Sequence, residues 1–455
     1  MISRLDISPA EEHDLMKISI AVCLATFVLL VWMLRREQAS LGLPIAYLAN
    51  LLLLHIPGAI GQSIAKNRAG LTPPSFTRTG IILTAIGSVA FVAGVWLSRR
   101  RRQQVIPQPA ARTLYWRYCV LGGGLCSVVS YLIKIPSIGA VFSRGGPIWM
   151  LGVMLALVTT LRLHDRAKAA RWFAVLAAYP VLMLLIGGFL SYGAMAAIIV
   201  LSALAVTTPS AWRVTVSGGI FLIVGMSLFL AYFEHRPEIR ATVWGGQDTD
   251  ARIDASMSAF KDVKLFDPNN QAQLYALDQR LNQNYFVGLA AERIDAGAVQ
   301  YLYGRSVVEG FQSLIPRALW PDKPVTAGSP KVVSEMTGLK LSASTSFGVG
   351  NVMEFDINFG IAGVIAGFLL LGWGLGRLDL LSAEANLKGN LGDIFLYFLP
   401  AVALIQPNGS IVEMMGGAAS AIAAAYGWRW AWNRWPKPGM RRRGAVSRGP
   451  LPIPF

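Results

Sequence analysis

Eleven stretches of the chain are almost wholly apolar: 17–34, 41–60, 79–98, 116–135, 146–163, 172–190, 193–208, 214–234, 357–376, 391–409 and 411–428. A helix that crosses a bilayer needs about 20 mostly apolar residues. The pattern therefore predicts eleven transmembrane helices. The sixth and seventh runs nearly touch, which predicts a tight hairpin. The fourth carries Arg117 and Lys134 near its two ends, positions from which long side chains reach the interface.

Between the eighth and ninth runs the pattern changes. Residues 235–355 contain no apolar run of spanning length, but they carry two amphipathic patterns. In 272–296, Leu274, Leu277, Leu281, Tyr285 and Leu289 recur at intervals of three and four, one stripe of a helix. In 299–315 the apolar set is Val299, Leu302, Val307, Phe311, Leu314 and Ile315, and Pro316 stops that helix. Both helices are expected to pack within the loop, to lie on the membrane surface or to cap the bundle. Pro316, Pro321 and Pro324 then impose extended or turn backbone, with Trp320 between them suited to the membrane interface. Residues 325–350 are rich in Gly, Ser and Thr and read as loop. The plan is thus 1–234 with spans one to eight, 235–355 as one large loop, 356–430 with spans nine to eleven, and 431–455 as a basic tail.

Composition agrees with lipid as solvent. Hydrophobic residues make up 54% of the 455 and charged residues only 15%, against about 25% in soluble domains. The net charge of +16 invites a nucleic-acid partner, but its placement argues against one. With the N-terminus outside, 22 of the 41 Lys and Arg fall in the inner segments and tail and 7 in the short outer segments. The remaining 12 lie in the long loop, which the bias rule does not cover. The charge therefore reports topology, N-terminus out and C-terminus in, and no nucleic acid is expected. Glu11, Glu12 and Asp14 precede the first run and Arg35 and Arg36 follow it, so it reads as an uncleaved span. Cys23, Cys119 and Cys126 sit in apolar stretches and read as packing residues, with no disulfide framework and no metal site.

Candidate chemistry is confined to the loop and its flanks. No phosphate-binding glycine loop, nucleophile elbow or zinc-protease motif is present. Arg280, Arg293, Arg305 and Arg317 recur about every twelve residues. Guanidinium binds phosphate oxygens bidentately and stays charged in any environment. Arg305 and Arg317 are the stronger candidates, although Glu309 follows Arg305 by one helical turn and is a ready structural partner. Glu354 lies at the outer edge of the ninth span and Glu413 at the start of the eleventh. Acids at such depth are functional candidates, and either is placed to act as a general base. Asp356, Asp322 and Lys323 are positioning candidates. His235, at the edge of the loop, reads as structural.

The stretch from Arg305 to Gly376 resembles the oligosaccharide repeat-unit polymerases, the Wzy-type O-antigen polymerases. The matching elements are Ile315-Pro316-Arg317, Trp320-Pro321, Lys323-Pro324, and Glu354 ahead of Asn358-Phe359-Gly360 and a glycine-rich span. Members carry an arginine, ten residues and a glycine in their loops, a spacing met by Arg293 with Gly304 and by Arg317 with Gly328. Many also carry an arginine in a short Ser-Arg-Gly-like turn between two middle spans. Here that turn is matched to Ser191-Tyr192-Gly193, which lacks the arginine.

The resemblance implies an all-α polytopic fold like that of GT-C membrane glycosyltransferases, placed in the bacterial inner membrane with the large loop periplasmic. It implies a transfer without metal or cofactor, in which a glycan leaves undecaprenyl pyrophosphate for the terminal sugar hydroxyl of a second lipid-linked unit. Glu354 or Glu413 would be the base. Arg305, Arg317, Lys323, Arg293, Arg280, Trp320, Asn358 and Tyr192 would contact pyrophosphate or substrate. Membrane lipid, a chain-length regulator and a flippase are the implied partners. Two other readings compete. An O-antigen ligase, delivering glycan to lipid A core, calls for a histidine well inside the loop, and only His235 is near. A transporter calls for internal repeats and charged midspans, and neither is evident.

Overall fold

The computed structural model describes residues 8–37, 39–64, 71–99, 115–132, 139, 142–187, 190–208, 210–244, 263, 265–267, 269–315, 320, 329–341 and 348–434. Every regular element among them is an α-helix. In chain order these are α1 (Pro9–Glu37), α2 (Leu43–Ile64), α3 (Pro74–Ser98), α4 (Tyr115–Leu132), α5 (Gly145–Arg162), α6 (Arg166–Gly187), α7 (Leu190–Thr207) and α8 (Ala211–Trp244). There follow α9 (Gln271–Arg280), α10 (Asn284–Asp295), α11 (Arg305–Ser313), α12 (Ser329–Thr337), α13 (Asn351–Leu387), α14 (Leu391–Leu404) and α15 (Ile411–Arg434). Each of the eleven apolar runs lies largely within one of these helices. Four of them, α1, α2, α3 and α13, are long and apolar enough to cross a membrane, which supports a membrane protein.

The core is the packing of α13 against α3, with α1 and α2 alongside. Two glycines make that approach possible. A Cβ on Gly94 would stand 2.1 Å from the Leu369 carbonyl oxygen, and one on Gly372 2.1 Å from that of Phe91. Small residues at helix contacts are how membrane bundles bring backbones together. A buried ionic cluster closes one end of this core. The Asp379 carboxylate is 0% exposed. It accepts from the Ser40 hydroxyl at 2.6 Å, from the amides of Leu41 and Leu43 at 2.9 and 3.2 Å, and from the Arg99 guanidinium. Arg99 also donates to Glu37 at 2.7 Å and to the Ala39 carbonyl at 3.0 Å.

The segment between α8 and α13 departs from expectation in four ways. Helix α8 runs on to Trp244, so the boundary placed at 234 falls inside it and His235 is a helical residue whose ring meets the Ala231 carbonyl at 3.0 Å. The stripe over 272–296 is two helices, broken at 281–283. There Asn282 turns inward and donates to Asp278 at 2.8 Å and to Thr77 at 2.9 Å. In 299–315 only α11 is helical, because Tyr303 and Gly304 both have positive φ, 45° and 88°. Finally, the stretch taken as loop contains α12. Pro330 sits in its first turn, Val332, Val333 and Met336 are buried, and Gly338 at φ 75° ends it. Helix α10 is not a surface helix. It packs on α3, where a Cβ on Gly80 would stand 2.4 Å from Asn284 Cα and one on Gly288 2.3 Å from the Phe76 carbonyl oxygen.

Candidate functional site

Helix α13 begins at Asn351 and breaks within three turns. Phe359 (φ −144°, ψ 18°) and Gly360 (φ 63°, ψ −153°) leave helical geometry. Gly360 occupies a region that side chains hardly allow. The break frees backbone acceptors, and residues 302–306 take them up. The Leu302 amide donates to the Ile357 carbonyl at 2.8 Å and the Gly304 amide to Asn358 Oδ1 at 3.0 Å. Asn358 Nδ2 in turn donates to the Glu354 carbonyl at 2.7 Å and to Ser306 Oγ at 2.8 Å. Asn358 is 1% exposed. It therefore ties the start of α11 to the first half of α13.

The start of α15 closes the other side. Ser410 and Glu413 form a reciprocal cap, with the Glu413 amide donating to Ser410 Oγ at 3.2 Å and the Ser410 amide to Glu413 Oε2 at 3.0 Å. The next amide, Ile411, donates to Glu354 Oε2 at 2.6 Å. Consecutive amides thus hold the two glutamates together, although 59 positions separate them in sequence. Asn351, 0% exposed, locks this junction. Its amide donates to Pro407 O at 2.9 Å, its side chain to Gly409 O at 3.1 Å, and it accepts from the Tyr47 hydroxyl at 2.6 Å.

The two glutamates differ in what remains open. Both oxygens of Glu413 are engaged, since Ser329 Oγ at the start of α12 donates to Oε1 at 3.2 Å. Glu354, 1% exposed, accepts one backbone amide and has the Ser306 hydroxyl as a neighbour. A carboxylate removed from water with acceptor capacity to spare is suited to take a proton.

The first turns of α11, α12, α13 and α15 all contribute to this region: α15 gives the Ser410 and Ile411 amides, α12 the Ser329 hydroxyl, α11 the Ser306 hydroxyl, and α13 carries Glu354 itself. Arg305 stands at the first of them. Its guanidinium donates to Glu335 of α12 at 2.7 Å and lies 3.9 Å from Glu309. The Glu335 hydrogen bond raises its pKa, so it stays cationic. At 48% exposure it is open to a ligand.

The remaining sequence candidates scatter. Arg293, on α10, has its guanidinium against Gly338, at the end of α12. Arg280 ends α9, which packs on α2 and α8, and its guanidinium covers the Phe233 ring at 4.9 Å. Trp320 is half-buried. Arg317, Asp322 and Lys323 lie outside the described residues. Ser191-Tyr192-Gly193 is no turn: all three residues belong to the first turn of α7, and the Tyr192 side chain lies outside the described ones.

The residue that sequence reasoning missed is Arg144. It forms a turn with Ser143 directly before α5, and its Nε and Nη2 donate to Ser420 of α15 at 3.1 and 2.6 Å. Ser420 lies two turns after Glu413. The signal was present, since Ser143-Arg144-Gly145 fits the Ser-Arg-Gly pattern that had been matched to residues 191–193. Ser306, Ser329 and Ser410 were also missed; of the three, only Ser410 carries a signal, its capping-box spacing to Glu413. Compared with protein-family models, curated proteins and solved structures, the chain finds no match.

Proposed function

We propose that the chain is a membrane glycosyltransferase that polymerises lipid-linked oligosaccharide repeat units, with Glu354 as general base. The observation that carries this reading is Glu354, 1% exposed and held by the Ile411 amide, in the half of α13 to which Asn358 ties the start of α11, the helix that opens with the exposed Arg305. The hydropathy and charge pattern supports eleven spans with the N-terminus out and the C-terminus in, and the family resemblance supports a site on the periplasmic face of a bacterial inner membrane. In the reaction, the terminal sugar hydroxyl of one unit attacks the anomeric carbon of a glycan on undecaprenyl pyrophosphate. The hydroxyl proton passes to the Glu354 carboxylate as the new C–O bond forms. The bond from the anomeric carbon to the pyrophosphate breaks, and its charge is met by Arg305 and Arg144. Glu413, occupied by its cap, holds the start of α15 in place.

The test is reconstitution in liposomes with the host's undecaprenyl pyrophosphate-linked unit. A ladder spaced by one repeat supports the polymerase. A single unchanged band from folded protein rejects it and turns attention to transfer onto lipid A core, the ligase reaction, and then to transport.

A further inference from the structure

The crossing of residues 301–304 over the break in α13 leaves three aromatic rings together. Tyr303 is 71% exposed and Phe359 53%. Tyr301 meets Tyr303 edge-on with ring centroids 6.1 Å apart. The Phe359 ring lies over Gly304, where a Cβ would stand 3.1 Å from its tip, and the Tyr301 hydroxyl lies by Gly360 at 3.2 Å from the corresponding point. Tyr303 holds φ 45°, a left-handed conformation that bulky residues rarely keep unless their surroundings impose it. Two carboxylates share the patch. Burial, and then the charges of Asp356 and Asp295, push the Tyr301 phenol above its ordinary pKa. Asp356 is 6% exposed, yet it accepts no hydrogen bond from a described residue.

We propose that this patch is a saccharide subsite, seating the sugar rings of the incoming acceptor unit. The proposal rests on the polymerase reading above and adds where the acceptor binds. Aromatic faces pack on the C–H faces of sugar rings, and their rigidity makes the contact inexpensive in entropy. A carboxylate beside such rings receives sugar hydroxyls by hydrogen bonds. The patch adjoins both reacting regions, because Asn358 and Gly304 join it to Glu354 and Arg305. Exposed aromatics also suit a membrane interface. A bare interface anchor gives no reason for the charges of Asp356 and Asp295 to stand beside its rings.

The experiment uses the full chain in nanodiscs. The probe is the set of oligosaccharides released by partial acid hydrolysis from the host's own surface polysaccharide, with binding read by saturation-transfer NMR and calorimetry. Tyr303→Ala and Asp356→Asn should each weaken binding about fivefold or more, while Tyr303→Phe, which keeps the ring, should bind as wild type does. Binding indifferent to Tyr303→Ala overturns the subsite and leaves the rings as interface anchors; so does a wild-type protein that binds none of the probes. Polymer made by wild type whose saccharide binding ignores Tyr303 rejects this inference alone. Ring-dependent saccharide binding without any polymer rejects the polymerase alone.

Discussion

Asp379 and Glu354 are buried carboxylates of one helix, on opposite sides of its break, and their surroundings are opposites. Asp379 accepts from two amides, one hydroxyl and one guanidinium, so its charge is fully met. Glu354 is as deeply buried but has only one amide and the neighbouring Ser306 hydroxyl, and no cation among the described residues. Taking a carboxylate out of water is costly in either place. At Asp379 the cost is offset by partners, and the result is a fastening. At Glu354 the cost is only partly offset, and the residue that bears such a cost gains reactivity. Burial alone therefore does not separate a structural acid from a catalytic one, whereas occupancy of the lone pairs does.

The comparison is broken most directly at Glu354. Glu354→Gln should lower polymer formation by about a hundred- to ten-thousandfold, with the unfolding temperature of the purified protein unchanged. A variant that polymerises normally removes Glu354 from the chemistry. Asp379→Ala should do the reverse. It leaves Arg99 buried beside one remaining acid and should cost about 3–5 kcal/mol of stability, read as a lower unfolding temperature and poor recovery from the membrane. Equal thermal stability would mean that the two carboxylates are not different in kind. Gly360→Ala sharpens the role of the break. Positive φ at this position and the Tyr301 hydroxyl both oppose a side chain, so about 1–3 kcal/mol should be lost, together with activity. Ser410→Ala, finally, removes one half of the cap on α15 and should cost about 1 kcal/mol. It should lower polymer yield modestly, since the Ile411 amide that holds Glu354 sits one residue on. An effect as large as that of Glu354→Gln would make the cap more than a support.

The helices were legible in the chain because apolar runs declare themselves one residue at a time. The bringing of α11, which opens with Arg305, against the half of α13 that holds Glu354 was half legible, because an acid beside a span and an arginine starting an amphipathic stretch are each visible alone. The meeting of the two helices was not, since it depends on the Leu302 amide finding a carbonyl freed at Ile357 and on Asn351 fastening the 407–410 turn. The separate roles of Glu354 and Glu413 were likewise hidden, although Ser410-Ile411-Val412-Glu413 has the spacing of a capping box. Asp379 lies three residues beyond the run taken as the ninth span, so its burial went unforeseen. Arg144 was passed over because residues 191–193 were read as the turn, and those residues are helical.

The junction at Asn358 is built from main-chain groups, one amide side chain and the Ser306 hydroxyl. None of its hydrogen bonds involves the rings of residues 301 or 303. Those two side chains are therefore free to drift in evolution while Glu354 and Arg305 stay where they are. Under the proposed reading, a lineage changes the sugar it accepts by altering a few letters between Val299 and Arg305, leaving Glu354 and Arg305 undisturbed.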